Sequence, residues 1–204
     1  MIDLLSTFIV FFAVIDPIGT VPVFIAVTNQ YDAATKRKIA LLATLMSAGI
    51  LLFFIVAGEL ILTGMAIPLS AFQISGGIVL FLFALTMIFG ESKPEEELRL
   101  LKEDHTDTAI FPLAVPSIAS PGAMLAAVLM TENARFSIFE QLQTAGVMLL
   151  VLVLVYVLML MAGVIHRFIG NSGASVVSRV MGLILSAVAM THILAGFKAY
   201  FGLS

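Results

Sequence analysis

A single carboxylate, Asp16, lies in the middle of an apolar stretch that runs from Leu4 to Val27, and Pro17 follows it directly. An ionisable side chain at bilayer depth is costly and commonly marks a substrate or ion path. Asp followed by Pro is also a favourable helix start, because the carboxylate accepts hydrogen bonds from free N–H groups and proline loses none at the first helical position. Both interpretations of Asp16, a chemical role and a capping role, stay open, and both predict a helix break within the membrane.

The composition predicts an all-α membrane protein. Hydrophobic residues make up 61% of the chain, charged residues only 11%, and the mean hydropathy is +1.14, whereas soluble domains are about 45–50% apolar and about 25% charged. A chain of 204 residues has room for one transmembrane bundle, so we predict a single domain over residues 1–204. The lack of cysteine excludes disulfides and cysteine nucleophiles, and no motif predicts a metal, a cofactor or a nucleic-acid partner.

Six apolar segments have about the 20 residues that cross the hydrocarbon core of a bilayer. The predicted spans are Leu4–Thr28, Ile39–Leu62, Ala71–Phe89, Ala109–Met130, Leu142–Ile165 and Val180–Phe201. The gaps between them include Asn29–Lys38, an acidic stretch at 91–108, and the Gly- and Ser-rich segment His166–Arg179. We therefore predict six transmembrane helices, with residues 91–108 as a linker between two halves.

The orientation follows from the basic residues, which cytoplasmic loops retain. Eight of the ten Lys and Arg residues lie in the first, third and fifth predicted loops, and only Arg135 and Lys198 lie on the other side. We therefore predict a multi-pass protein of the cytoplasmic membrane, with both termini outside the cytoplasm.

An internal repeat relates the two halves of the chain. The third span contains Gly, Ala, Thr and Ile at the same spacing as the sixth span: Gly77, Ala84, Thr86 and Ile88 match Gly182, Ala189, Thr191 and Ile193. The first and fourth spans match at Asp16-Pro17 and Ser120-Pro121, with a slip of one residue. Three spans per copy is an odd number, so the copies must be inverted. The sequence predicts two inverted three-helix repeats, about 1–90 and 109–204, with broken first and fourth helices.

Paired breaks of this kind are typical of transporters, in which half-helices meet at a substrate site near the midplane. Half-helices that start at Pro17 and Pro121 present free N–H groups and positive dipole ends, which suit a carboxylate. Asp16 then faces either a substrate ammonium group or a coupling proton or cation. A zwitterion satisfies this combination of charges.

The chain resembles the MarC family of bacterial and archaeal integral membrane proteins, which is similar to the small neutral amino acid transporters. The resemblance rests on five segments: Asp16–Phe24, Ile74–Ile78, Pro112–Pro116, Ser120–Ala123 and Arg179–Leu185. It implies six spans, inverted repeats, an inner-membrane location and, for some members, transport of glycine and alanine. Ser120 stands where many relatives have glycine.

The predicted substrate-binding residues combine the two breaks with the glycine motif of the third span. They are Asp16, Pro17, Gly19, Thr20, Ser75, Gly76, Gly77, Ser120, Pro121, Gly122 and Ala123. Several have a structural alternative: Ser75, Gly76 and Gly77 allow close helix packing in membranes, and the hydroxyls of Thr20 and Ser120 can bond their own helix backbone.

Three classes of function are compatible with the sequence. We expect a secondary transporter or exporter of small neutral amino acids of the glycine and alanine class, which works by alternating access. A scaffold without a transported substrate is the alternative. An intramembrane enzyme is disfavoured, since Ser120 and His192 are the only nucleophile and base that suggest a pair. The sequence leaves open whether transport is coupled to a proton or another cation, and whether the chain forms a homo-oligomer.

Overall fold

The computed structural model describes residues 3–28, 31–89, 113–133 and 135–202. In these residues the chain is helical and contains no strand. The described residues form seven α-helices, namely α1 (Leu4–Ile15), α2 (Pro17–Thr28), α3 (Ala33–Gly64), α4 (Leu69–Phe89), α5 (Pro121–Leu129), α6 (Ile138–Leu160) and α7 (Ala162–Phe201), and a π-helical turn, Leu113–Ile118, precedes α5. This confirms the all-α class. The predicted linker at 91–108 lies outside the described residues.

Five stretches of the described chain are long and apolar enough to cross a membrane, where the sequence predicts six. They are Leu4–Thr28, which combines α1 and α2, then α3, α4, α6 and the segment Ser175–Phe201 of α7. The fourth predicted span, Ala109–Met130, is not among them. Its described part consists of the π-helical turn and the nine-residue helix α5, so no continuous helix of spanning length forms there.

Two predicted loops are helical in the structure. The segment His166–Arg179 forms part of the continuous helix α7, because isolated Gly and Ser residues cost a helix about 1 kcal/mol or less each and no proline stops it. The end of the Asn29–Lys38 gap is also helical, since Asp32 caps α3 by accepting a hydrogen bond from Ala34 N at 3.3 Å. Lys36, Arg37 and Lys38 therefore lie in the first turns of α3. We call this end of the bundle the basic end.

Helices α4 and α7 pack against each other with a reciprocal pattern of contacts. A Cβ added at Gly77 would lie 3.1 Å from Ala189 O, and a Cβ added at Gly182 would lie 3.0 Å from Ala84 O. Gly182 and Ala189 follow Gly77 and Ala84 by the same interval in the sequence. Each helix therefore places its glycine against the backbone carbonyl of the other helix at the matching position, as two-fold related surfaces do.

The end of the bundle opposite the basic end is tied together by polar contacts. Glu59 Oε2 accepts a hydrogen bond from Asn133 N at 2.7 Å, and Gln141 Nε2 donates to Asn133 Oδ1 at 2.8 Å. Partial burial raises the pKa of the Glu132 carboxyl. The charge of Arg135, whose Nε lies 3.6 Å from Glu132 Oε2, lowers the same pKa and opposes that shift. Glu59 and its neighbours thus hold the segment that follows α5 against the C-terminal half of α3.

The two ends of the bundle differ at Ala57-Gly58 and Ala162-Gly163, two pairs separated in the sequence by the same interval as Gly77 and Gly182. Gly58, which follows Ala57, packs so closely on α5 that an added Cβ would lie 2.5 Å from Val128 Cγ2. Gly163, which follows Ala162 near the basic end, has nothing within 4 Å of such an atom. The structure is therefore closely packed at one end and open at the corresponding place on the other.

We predict that Gly77→Leu and Gly182→Leu destabilise the protein to a similar extent. Each new side chain meets the facing helix, and overpacking of this kind costs about 1–3 kcal/mol. Gly146→Leu on α6 is the matched control, because an added Cβ there has nothing within 4 Å. Thermal unfolding in detergent measures all three variants, and clearly unequal losses at Gly77 and Gly182 would contradict the reciprocal packing.

Candidate functional site at two helix breaks

Asp16 ends one helix and starts the next. Its backbone is left-handed, with φ 50° and ψ 67°, a conformation that Asp tolerates better than most residues. The Asp16 N–H donates to Phe12 O at 3.1 Å, and its Oδ1 accepts from Gly19 N at 3.0 Å. The side chain is only 1% exposed. The predicted cap at Asp16-Pro17 is therefore present, in a buried position.

Gly19 and Thr20 hold the Asp16 carboxylate and carbonyl in place. A Cβ added at Gly19 would collide with the Asp16 carboxylate oxygen Oδ2, so the carboxylate folds over the start of α2 because position 19 has no side chain. Thr20 donates to Asp16 O twice, from its N–H at 3.1 Å and from its hydroxyl at 3.0 Å. The conformation at Asp16 is thus fixed by the residues of the first turn of α2.

Ser120 connects the second break to the first. Its Oγ accepts a hydrogen bond from Ala123 N at 3.2 Å and so caps the start of α5. The same Oγ donates a hydrogen bond to Val14 O at 2.8 Å. In a continuous helix Val14 O would accept from the N–H four residues later, and the break at Asp16 interrupts that pattern. The hydroxyl of one break therefore satisfies a carbonyl freed by the other, across 106 positions of sequence.

Further hydroxyl groups line the same buried region. Thr20 Oγ1 lies 3.5 Å from Ser117 Oγ. Ser47 Oγ donates to Ala43 O at 2.8 Å and lies 3.3 Å from Ala114 O of the π-helical turn. Ser47 and Ser117 were not predicted as site residues, and the sequence holds no signal for them, since isolated hydroxyls in apolar helices usually bond their own backbone.

The π-helical turn before Ser120 has an extended residue inside it. Val115 adopts φ −139° and ψ 125°, the conformation that a following proline such as Pro116 favours. Ala119 N donates to Ala114 O at 2.9 Å across this kink. The fourth segment is therefore distorted before it reaches the break, and its carbonyl at Ala114 lies close to α3.

Most of the predicted site residues at the breaks are buried together. The buried set comprises Asp16, Pro17, Gly19, Thr20, Ser120, Gly122 and Ala123. Pro121 belongs to the same break, but its side chain is exposed. A Cβ added at Gly122 would lie 2.5 Å from Leu80 Cδ1, so Gly122 also allows α4 to approach α5.

The glycine motif of α4 serves helix packing. A Cβ added at Gly76 would collide with Leu125 of α5, and Gly77 faces Ala189 of α7 as described above. Ser75 is exposed, and its hydroxyl donates to Phe72 O at 3.1 Å. The structure therefore brings Gly76 and Gly77 against the helices next to the breaks, and it leaves Ser75 on an exposed face of α4.

The chain matches the family model described as MarC family integral membrane protein over residues 1–201. It is 33% identical to a UPF0056 membrane protein of Methanocaldococcus jannaschii over 189 residues, with 92% of each chain covered. A UPF0056 membrane protein of Aquifex aeolicus is 30% identical over 198 residues, covering 95% of this chain and 91% of the relative. A UPF0056 membrane protein of Buchnera aphidicola is 28% identical over 201 residues, covering 98% of this chain and 99% of the relative. No solved structure matches significantly.

We predict that Ser120→Ala destabilises the protein by about 1–3 kcal/mol, because it removes a helix cap and leaves Val14 O buried without its donor. Ser75→Ala is the control, since it removes an exposed hydroxyl that bonds only its own helix, and its effect should stay within about 0.5 kcal/mol. Thermal or denaturant unfolding in detergent measures both. Equal stability of the two variants would show that Ser120 does not link the breaks.

Proposed function

Because the chain belongs to the MarC family of integral membrane proteins, and because its two helix breaks meet at one buried point, we propose that it is a secondary transporter of small neutral amino acids. The substrate class is glycine and alanine, and the mechanism is alternating access. The observation that carries the proposal is the hydrogen bond from Ser120 Oγ to Val14 O. It joins the start of α5 to the end of α1, beside the buried carboxylate of Asp16.

The charges at this junction suit a zwitterion. The positive ends of α2 and α5 favour an anionic group. Because Pro17 and Pro121 have no N–H, the N–H groups of Ile18 and Gly122 are the first donors of the two helices. Asp16 supplies the opposite charge for an ammonium group. Both charged groups of an amino acid thus have a complementary partner at this junction.

The reciprocal packing of α4 and α7 supports the assignment of two inverted repeats, 1–90 and 109–204. Besides the glycine and carbonyl contacts, an added Cβ at Gly77 would lie 2.7 Å from Ile193 Cγ1, and one at Gly182 would lie 2.9 Å from Ile88 Cγ1. Each helix therefore also places an isoleucine against the glycine of the other helix. Inverted repeats allow one fold to open alternately to either side of the membrane.

Burial of the site supports alternating access. Asp16 is 1% exposed and Ser120 is fully buried, so a water-soluble substrate enters only after the helices around the breaks separate. The close contact of Gly58 with Val128 at one end, and the open space beside Gly163 at the other, match a protein whose two ends open in turn. In the predicted orientation, the closed end faces outward.

Counterflow of radiolabelled glycine and alanine in proteoliposomes tests the proposal. The wild-type protein should exchange at least one of the two amino acids. Asp16→Asn should keep the fold, because Asn caps helices and tolerates a left-handed backbone as Asp does. It should reduce transport about 10- to 150-fold, since loss of a charged partner costs about 1.5–3 kcal/mol.

Asp3→Asn is the matched control for this experiment. Asp3 also caps a helix, accepting from Leu5 N at 3.1 Å, but it is exposed at the start of α1, so its charge should be dispensable. Wild-type transport by Asp16→Asn would restrict Asp16 to its capping role. Failure of the wild-type protein to bind or exchange either amino acid would favour a scaffold without a substrate.

A further inference from the structure

A cavity of about 300 Å³ lies at the basic end, between the end of α2, the start of α3 and the junction of α6 and α7. Its lining comprises Phe24, Ile25, Thr28, Ala33, Lys36, Arg37, Met159, Leu160, Ala162 and Gly163. A volume of this size is at the lower end of the range for small-molecule sites. The cavity is separate from the helix breaks, because none of the residues that form the breaks lines it.

We propose that this cavity binds the headgroup of an anionic phospholipid, with the phosphate near Lys36 and Arg37. The lining has the two properties of an amphiphile in one place. Phe24, Ile25 and Leu160 form an apolar part of the lining. The cations Lys36 and Arg37 line the same cavity. Basic pockets between transmembrane helices at the cytoplasmic side are suited to anionic lipid headgroups.

The cations of the cavity are available for such a ligand. Among the described residues, neither Lys36 nor Arg37 lies within 4.0 Å of a carboxylate oxygen. The nearest acidic residue in sequence, Asp32, is exposed and caps α3 through Ala34 N. Because Lys36 and Arg37 also lie in the first turns of α3, the positive end of the helix dipole adds to their charge.

The opposite end of the bundle shows how the chain closes a matching junction without a lipid. There, Gly58 packs directly on Val128, and Glu59 accepts a hydrogen bond from the backbone of the facing segment. At the basic end the residue after Gly163 is Val164, so the chain offers no carboxylate at the place that corresponds to Glu59. An external anion can supply the missing negative charge.

Lipid retention by the purified protein tests this proposal independently of transport. The full chain is reconstituted in vesicles of phosphatidylcholine alone or of equal parts phosphatidylcholine and phosphatidylglycerol, then extracted. Native mass spectrometry measures the bound lipid, and the midpoint of thermal unfolding measures stability. The wild-type protein should retain phosphatidylglycerol preferentially and unfold at a higher temperature in its presence.

Three variants locate the site. Lys36→Gln combined with Arg37→Gln should weaken phosphatidylglycerol binding about 10- to 30-fold, since each basic residue near an anionic surface contributes about fivefold. Lys38→Gln removes a neighbouring charge that does not line the cavity and should retain the lipid. Gly163→Leu adds a side chain at the cavity lining, where an added Cβ has nothing within 4 Å, and should abolish retention although both cations remain.

Several results would overturn the proposal. If Lys38→Gln lost as much lipid as the double variant, only diffuse surface charge would be involved. Retention of phosphatidylglycerol by Gly163→Leu, with an unchanged thermal midpoint in phosphatidylcholine, would place the lipid elsewhere. Inorganic phosphate is tested in detergent without lipid, and stabilisation by phosphate equal to that by phosphatidylglycerol would identify a site for a free anion.

Discussion

The structure depends on one constraint: backbone groups freed by a helix break inside a membrane must be satisfied by the protein itself. The chain breaks twice, at Asp16-Pro17 and at Ser120-Pro121, and each break begins with a side chain that caps the following helix. The hydroxyl of Ser120 also reaches Val14 O of the first break. The breaks therefore stabilise each other, and neither could be placed alone in lipid at the same cost.

The close packing of helices follows from small residues at matching positions. Gly77 and Gly182 bring α4 and α7 into contact, while Gly76 and Gly122 allow α4 to approach α5. Since interfaces in membranes rely on such close approach rather than on a hydrophobic driving force, these glycines hold the helices around the breaks in place. The same arrangement leaves Asp16 buried.

The sequence predicts the local features of the site better than its tertiary contacts. Asp16 and Ser120, each followed by proline, identify both helix starts, because capping is determined by neighbouring residues. The bond from Ser120 to Val14 and the positions of Ser47 and Ser117 depend on how distant segments pack, and no local pattern encodes them. For the same reason the exposure of Ser75 was not predicted. The helix over 166–179 was predicted as a loop from its Gly and Ser residues, although no proline interrupts it.

A disulfide between the two halves tests most directly the claim that both breaks form one buried junction. Thr20→Cys and Ser117→Cys together place thiols where two hydroxyls lie 3.5 Å apart, in a chain that has no other cysteine. After oxidation in membranes and cleavage at a protease site inserted within 91–108, we predict that the two halves stay joined until the disulfide is reduced. Ser75→Cys paired with Thr20→Cys should not cross-link. Separation of the halves of the variant with Thr20→Cys and Ser117→Cys would contradict a single junction of the two breaks.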